Sequence, residues 1–314
     1  MIDVEIPEAM DGERIDRLVA MICECTRAEA SGAIAAGTVL LSGRTVHKPS
    51  HRVRAGQRIE VTASPVIPEE LPVADPSVSV DVRFVDDEVI VIHKPPGLVV
   101  HPGAGHSGET LVHGLLALFP ELAGVGEPRR PGIVHRLDKG TSGLMVVART
   151  PNAYDELVGQ LSTHEVTRRY AALVWGHLDT TRTTIDAPIG RSRNNPLTMT
   201  VAADGRPSRT HVVVDETFDD PHPISRLTCE LETGRTHQIR VHLRSIGRPV
   251  IGDDTYGGER PSLRISRPFL HAGHLRFDHP LTGEPTAFDA ALPDDLQAVL
   301  DDLRSRRATG TAPG

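Results

Sequence analysis

The sequence predicts an α+β protein: a large domain on a mixed, mainly antiparallel sheet, preceded by a small separate unit. Three observations predict it. Strand-like runs outnumber helical ones after residue 80, so regular alternation of strand and helix is absent. Pro65, Pro68, Pro72 and Pro76 punctuate the chain between two segments of different pattern. With 314 residues, there is room for one large core and one small appended one.

In chain order, Ile15, Leu18, Val19 and Ile22 recur at helical spacing. Thr26 followed by Glu29 is a capping-box pattern, opening a second short helix with Ala30 and Ile34 that closes near Gly37. Residues 39–41, the Ser42-Gly43 turn, Val53, a turn at Ala55-Gly56, and Ile59 with Val61 read as short strands. These elements form a unit over residues 1–62 whose thin core suits it to presenting a surface. Residues 63–79 read as a linker. The second domain, 80–303, has expected strands at 82–85, 89–92, 145–148, 169–174, 210–214 and 227–231, and helices around 110–118, 151–161 and 236–246. Residues 304–314 read as a polar, disordered tail.

Apolar residues at 39% and charged residues at 24% fit a folded soluble protein. No run approaches the about 18 apolar residues of a membrane helix. The first residues carry Asp3, Glu5 and Glu8 and no basic region, so a cytoplasmic protein is expected. Cys23, Cys25 and Cys229 make no disulfide framework, and Cys23-x-Cys25 lacks the spacing of a zinc knuckle. A net charge of -8 argues against a nucleic-acid binder, but phosphate contact depends on local basic surface. Arg44, Lys48, Arg52, Arg54 and Arg58 follow one another with no acid between them. Arg226, Arg235, Arg240, Arg244 and Arg248 stand against Glu230 and Glu232, while acids gather at Asp289, Asp294, Asp295, Asp301 and Asp302. Composition alone explains these runs equally well as solvated faces.

The densest polar run beside an apolar strand is His135-Arg136-Leu137-Asp138-Lys139-Gly140-Thr141-Ser142-Gly143-Leu144. A polar loop leading into a core strand can hold reactive groups rigidly, though a turn satisfied by its own ion pairs would look the same. A kinase loop is excluded, because Leu137 separates His-Arg from Asp and Gly143 stands where the kinase Asn belongs. Gly103-x-Gly105-x-x-Gly108 matches a dinucleotide fingerprint, but the preceding strand ends too early, near Lys94-Pro95-Pro96-Gly97. His237 and His242 are five apart, and His271 and His274 have no evident further ligands, so no zinc motif forms. Deaminase and G-x-S-x-G signatures are absent. In 232–244, a helix capped by Thr236 would put Arg240 and Arg244 on one face and Ile239, Leu243 and Ile246 on another. Arginine so held can pair a carboxylate bidentately, and the helix's first turn offers backbone N–H groups to a phosphate.

Four ordered segments resemble the signatures of the RluA-type RNA pseudouridine synthases: Lys94-Pro95-Pro96-Gly97-Leu98 to His101; His135-Arg136-Leu137-Asp138 with Thr141-Ser142-Gly143-Leu144; Arg169-Tyr170-Ala171-Ala172-Leu173-Val174; and residues 234–243. The first 60 residues resemble an S4 RNA-binding domain, and the likeness spans residues 11–290. It implies a pseudouridine-synthase catalytic fold, with Asp138 as nucleophile, Tyr170 stacked on the target base, and Arg240 paired with the aspartate. Arg136 would enter the duplex or touch the flipped nucleotide's backbone. His135, Arg235, His237 and Gln238 would support the RNA or the site, and Arg44, Lys48 and Arg52 would contact RNA from the S4 hairpin. The family implies neither metal nor cofactor. The resemblance is greatest to the large-subunit ribosomal RNA branch, so that RNA or a pre-ribosomal particle is the expected partner of a monomer with no membrane partner. Two departures stand out: Ser42-Gly43 where Asn-Gly is usual, and Gly140 in place of a common acid.

The implied reaction breaks the N1–C1′ bond of uridine and forms a C5–C1′ bond, releasing nothing. A carboxylate can attack C1′ or assist a glycal intermediate, and both routes stay open. Glycoside hydrolases add a second carboxylate to activate water; here water would abort the reaction, and one Asp with an Arg suffices. Arg240 is expected to keep Asp138 ionised against desolvation. Extruding the nucleotide costs about a few kcal/mol, partly recovered by stacking on Tyr170, about 1–3 kcal/mol. Aromatics at 3% exclude a multi-base stacking platform. An inactive RNA-binding or ribosome-assembly factor remains the alternative.

Overall fold

The computed structural model describes residues 2–23, 25, 27–62, 71–102, 109–192, 195 and 198–310, with side chains to residue 307. The expected cap Thr26 and the glycines Gly103, Gly105 and Gly108 lie outside the described residues. The chain divides into two compact units, Met1–Leu71 and Pro72–Gly314.

The first unit contains β1 (Ile2–Glu5), α1 (Ile15–Ile22), α2 (Arg27–Ala35), β2 (Val39–Leu41), β3 (Arg44–Thr45) and β4 (Arg58–Val61). Its sheet runs β1-β4-β2-β3. Ile15, Leu18 and Val19 from α1 meet Ile34, Val39, Ile59 and Val61 in a small core. Strand β1, unexpected from the acidic N-terminus, pairs antiparallel with β4, and its Asp3 receives two hydrogen bonds from Arg58, at 2.7 and 3.0 Å. Val53 is buried but lies outside the strands, giving its N–H to Glu13. Ser42 and Gly43 both have positive φ (49° and 76°), as a tight hairpin turn requires, so serine in place of asparagine preserves the turn.

The second unit contains β5 (Asp81–Val85), β6 (Val89–Lys94), α3 (Leu111–Leu118), β7 (Ser142–Ala148), α4 (Pro151–Ser162), β8 (Thr167–Trp175), β9 (Arg182–Asp186), β10 (Ile189–Arg191), β11 (Met199–Val201), β12 (Arg209–Phe218), β13 (Ile224–Leu231), α5 (Gln238–Ser245), β14 (Leu270–Asp278), β15 (Pro285–Asp289) and α6 (Asp294–Gly310). Its main sheet runs β5-β6-β7-β14-β8-β13-β12-β9, with β15 also on β14, and β10 pairs β11 separately. Every pairing of the main sheet is antiparallel except β7 with β14. Side chains alternate across β8: Tyr170, Ala172 and Val174 join the core with Leu115 of α3 and Leu157 of α4. Leu173 and Trp175 join the other core with Leu296, Leu300 and Leu303 of α6. Helices thus cover both faces of this strand.

The structure corrects the sequence reading at two further places. Residues 304–310 continue α6, with Leu303 fully buried just before them and Arg304 paired with Glu216. Residues 72–79, expected in the linker, belong to the second unit: a Cβ on Gly114 of α3 would stand 2.5 Å from the Val78 carbonyl.

Candidate active site

The segment before β7 is anchored on both sides of Asp138. Downstream, the Asp138 carbonyl accepts the Thr141 N–H at 3.0 Å, closing a turn. Gly143 (φ 123°) lies where β7 meets β14, and a Cβ there would come 2.3 Å from the Ala272 oxygen. Ser142 Oγ lies 2.9 Å from His271 Nδ1, whose Nε2 faces the Ala290 carbonyl at 3.3 Å. Since a carbonyl only accepts, Nε2 is assigned the proton and Ser142 donates to Nδ1. Burial lowers the His271 pKa to about 4. Arg267 donates to Gly140 O (3.3 Å) and Ser142 Oγ (3.2 Å), and grips Asp295 at 2.6 and 2.9 Å. Gly140 is pressed against Pro268, where a Cβ would stand 3.0 Å from the ring, so the glycine fits a crowded position.

Upstream, His135 Nε2 accepts the Val146 N–H at 3.1 Å, and burial lowers its pKa to about 3. Fully buried Lys94 donates to the carbonyls of Pro95 (2.7 Å), Leu98 (2.9 Å) and Lys139 (3.3 Å). Burial pushes it down to about 7 against the opposing charge of Asp138. Three acceptors match the three N–H bonds of an ammonium, so the arrangement is built for the charged form. Lys94 therefore ties the turn after β6 to the residue following Asp138.

Asp138, Tyr170 and Arg240 line one cleft, together with Arg136, Arg168, Arg235, His237 and Gln238. Its free volume is about 40 Å³, enough for little more than water. Asp138, 17% exposed, is the only carboxylate in the lining among the described residues. Arg240 Nη1 donates to Asp138 Oδ2 at 3.3 Å. Its closer partner is Asp253, fully buried, which accepts from Nε at 2.7 Å and Nη2 at 2.8 Å. Asp253 also accepts the N–H groups of Thr255 and Tyr256, at 3.1 Å each, and the guanidinium lies 4.9 Å from the Tyr256 ring centre. Burial works to lower the pKa of Arg240, but the Asp253 hydrogen bonds and the charges of Asp138 and Asp253 outweigh it and hold it above the ordinary value. Burial raises Tyr170 to about 12, leaving an uncharged phenol at ordinary pH.

Helix α5 begins at Gln238, and its N-cap is His237 in the left-handed conformation (φ 56°) rather than Thr236. His237 Nδ1 lies 2.8 Å from the Tyr256 hydroxyl, which accepts the Met199 N–H. Gln238 accepts from Thr233 and Arg235 and donates to Arg209 O and Thr210, so its amide braces the loop. Arg235 is half-buried with Nε on Pro207 O, and Arg136 is exposed. Arg240 and Arg244 share the helix face toward Tyr256. The basic run 226–248 is not one surface: Arg226 pairs with Glu216, and Arg248 donates to His177 O. In the first unit, Arg44, Lys48 and Arg52 are exposed, Arg52 donating to Gly12 O.

Sequence reasoning missed Asp253, Lys94 and Arg168. The signal for Asp253 was an acid and Tyr256 bracketed by Gly252 and Gly257, both at positive φ. Among the described residues, no three His, Cys, Asp or Glu side chains are grouped to hold a metal. His274 instead pairs with Asp289. One accessible carboxylate beside a fixed guanidinium, with no second acid in the wall among the described residues, suits attack on a sugar carbon better than hydrolysis.

Comparison with known proteins shows the family. The family model described as RNA pseudouridylate synthase matches residues 88–245, the stretch holding Asp138, Tyr170 and Arg240. An uncharacterized RNA pseudouridine synthase of Chloroflexus aurantiacus is 48% identical over 96% of this chain and 94% of its own length. The ribosomal large subunit pseudouridine synthase D of Xanthomonas campestris pv. campestris is 42% identical, covering 96% of this chain and 92% of its own. Among solved structures, human RNA pseudouridylate synthase domain containing 1 aligns with a TM-score of 0.56 at 29% identity, over 75% of this chain and 96% of that one. The chain belongs to the RNA pseudouridine synthase family, and its catalytic domain is of the RluA/RluD type.

Proposed function

We propose that this enzyme isomerises a uridine of large-subunit ribosomal RNA, that Asp138 is its nucleophile toward the ribose of an extruded nucleotide, and that residues 1–62 are an S4-type RNA-binding domain. The observation that carries the chemistry is Asp138 as the sole carboxylate of the cleft among the described residues, hydrogen-bonded to an arginine that a second, sealed carboxylate grips from behind. N1 leaves C1′, the uracil turns, and C5 bonds C1′; C5 loses a proton and N1 gains one, so nothing is released. Arg240 holds the aspartate by its hydrogen bond while the base excludes water, and Tyr170 offers its neutral ring to the base. The large-subunit substrate is supported by relatives that carry it in their names.

The test is incubation with large-subunit ribosomal RNA transcript followed by carbodiimide mapping, wild type against Asp138→Ala. A pseudouridine stop present with wild type and missing with the variant is expected. The same stop with both enzymes would remove Asp138 from its role; a stop only in other RNAs would remove the substrate. An inactive binding factor would give none with either protein. For the S4 reading, removing residues 1–62 should weaken binding about tenfold, in line with lost phosphate contacts, while leaving turnover of a saturating minimal substrate intact. Equal loss of both overturns it.

A further inference from the structure

A second cavity, about 410 Å³, shares Arg136, Arg168, Gly234 and Arg235 with the Asp138 cleft. Its far wall comes from α4 and the segment before β7, with Tyr154, Val158, His101 and His135. Buried polar atoms are nearly always hydrogen-bonded, yet three residues lining this cavity carry buried atoms without a partner among the described residues: His101 Nδ1, His135 Nδ1 and Arg168 Nε. For His135 the proton is assignable. Its Nε2 accepts the Val146 N–H, so the neutral ring carries hydrogen on Nδ1 and presents an unused donor.

The boundary between the cavities is cationic. Arg168 is 6% exposed, and its Nη2 donates only to the carbonyls of Leu231 (3.4 Å) and Glu232 (3.1 Å). Among the described residues no carboxylate lies within ion-pairing distance of it. Gly234 leaves it room, since a Cβ there would stand 3.0 Å from Nη1. Glu127, the one acid of the cavity among the described residues, is engaged by Arg130 at 2.8 Å. Tyr154 is seated on Gly126, where a Cβ would come 2.2 Å from its ring.

We propose that this cavity takes the base of a nucleotide adjoining the target uridine, with the phosphodiester between them on Arg168, Arg136 and Arg235. The inference rests on the RNA reading above and adds a second, unstacked base to it. Arginines at the boundary match a phosphate; a half-buried tyrosine and unpartnered donors match a base with acceptors on its edge.

The full-length enzyme is tested on the synthetic stem-loop surrounding the mapped uridine. Each flanking nucleotide is replaced in turn by an abasic one, and KM and kcat are compared for wild type, Val158→Trp and Ser162→Trp. These exposed residues lie one turn apart on α4 and line the cavity, so tryptophan fills it away from Asp138. One flanking abasic position should raise the wild-type KM about 5- to 150-fold, the span of a lost base stack. Both variants should show that rise on the intact stem-loop, with no further rise when variant and abasic site are combined. Melting temperatures equal to wild type establish that the variants are folded, and either one suffices. The proposal is overturned if a folded variant handles the intact stem-loop as wild type does, or if no flanking abasic position matters. Should mapping locate the uridine outside large-subunit RNA, the substrate reading fails alone, and the same series is run on the RNA that is modified.

Discussion

Arg240 and Arg168 line the same cleft and are equally buried, each 6% exposed, but they are held in opposite ways. Arg240 is clamped through two hydrogen bonds by a buried carboxylate and stacked on Tyr256. Arg168 has carbonyls for partners and an Nε with none. A guanidinium neutralised from behind is a fixed instrument whose position is set before substrate arrives. One without a counter-charge has desolvation cost that an incoming anion can offset. On the proposed reading, the pair divides positioning of Asp138 from capture of the RNA backbone.

The largest expected effect breaks the first arrangement. Asp253→Ala leaves a buried cation whose remaining carboxylate partner is Asp138 at 3.3 Å, at a cost approaching about 3–5 kcal/mol. Melting temperature should fall, and single-turnover rate should drop about 10²- to 10³-fold with RNA binding retained; a normal rate would show that Asp253 does not set Arg240. Arg240→Lys comes next, because an ammonium cannot span both Asp253 oxygens and Asp138. A loss of about 10²-fold in single-turnover rate is expected, and activity within threefold of wild type would dismiss the geometric role. Arg168→Met should do the reverse of Asp253→Ala: stability unchanged or raised, KM for RNA raised about tenfold, and the salt dependence of binding reduced by about one phosphate contact. A variant that loses kcat with KM intact would erase the division.

The smallest effect concerns the histidines on the Arg168 side. Burial, then the charges of Arg136, Arg130 and Arg129, lowers His101 to about 4; burial, then the charge of Arg168, lowers His135 to about 3. Their folded values lie below the unfolded value of about 6.5, so the unfolded chain binds protons first as pH falls. The stability they contribute is complete above about pH 6.5 and is lost progressively toward pH 3. Urea midpoints should therefore decline from pH 6.5 to 4, and less steeply in Arg168→Met; identical slopes would exclude Arg168 as a cause.

These contrasts also mark what was legible in the sequence. Asp138 and Arg240 are 102 positions apart, and their pairing was legible only as what the family resemblance of their two motifs implies. Asp253 could not: its role exists only once a Gly-rich loop is folded beneath α5. Lys94 likewise looked like part of a Pro-Gly turn, since nothing local says that three carbonyls converge on its amine. Among strands, β7 was legible from its apolar run, whereas β14 was not, because His271, Gly273, His274 and Arg276 interrupt the pattern of a strand buried between β7 and β8. The C-terminal residues 304–310 showed only their polar face, and the helix is held by the leucines that precede them.

The parallel junction of β7 with β14 has a consequence for synthesis. Ser142 and His271, which meet there, are separated by 129 positions, and such distant partners are slow to find one another. A growing chain exposes the Asp138 segment long before Arg267 and His271 exist to secure it. A truncation before β14 would therefore leave the signature sequence intact but remove the Arg267 and His271 contacts that hold the Asp138 segment, and with them, on the proposed reading, catalytic competence.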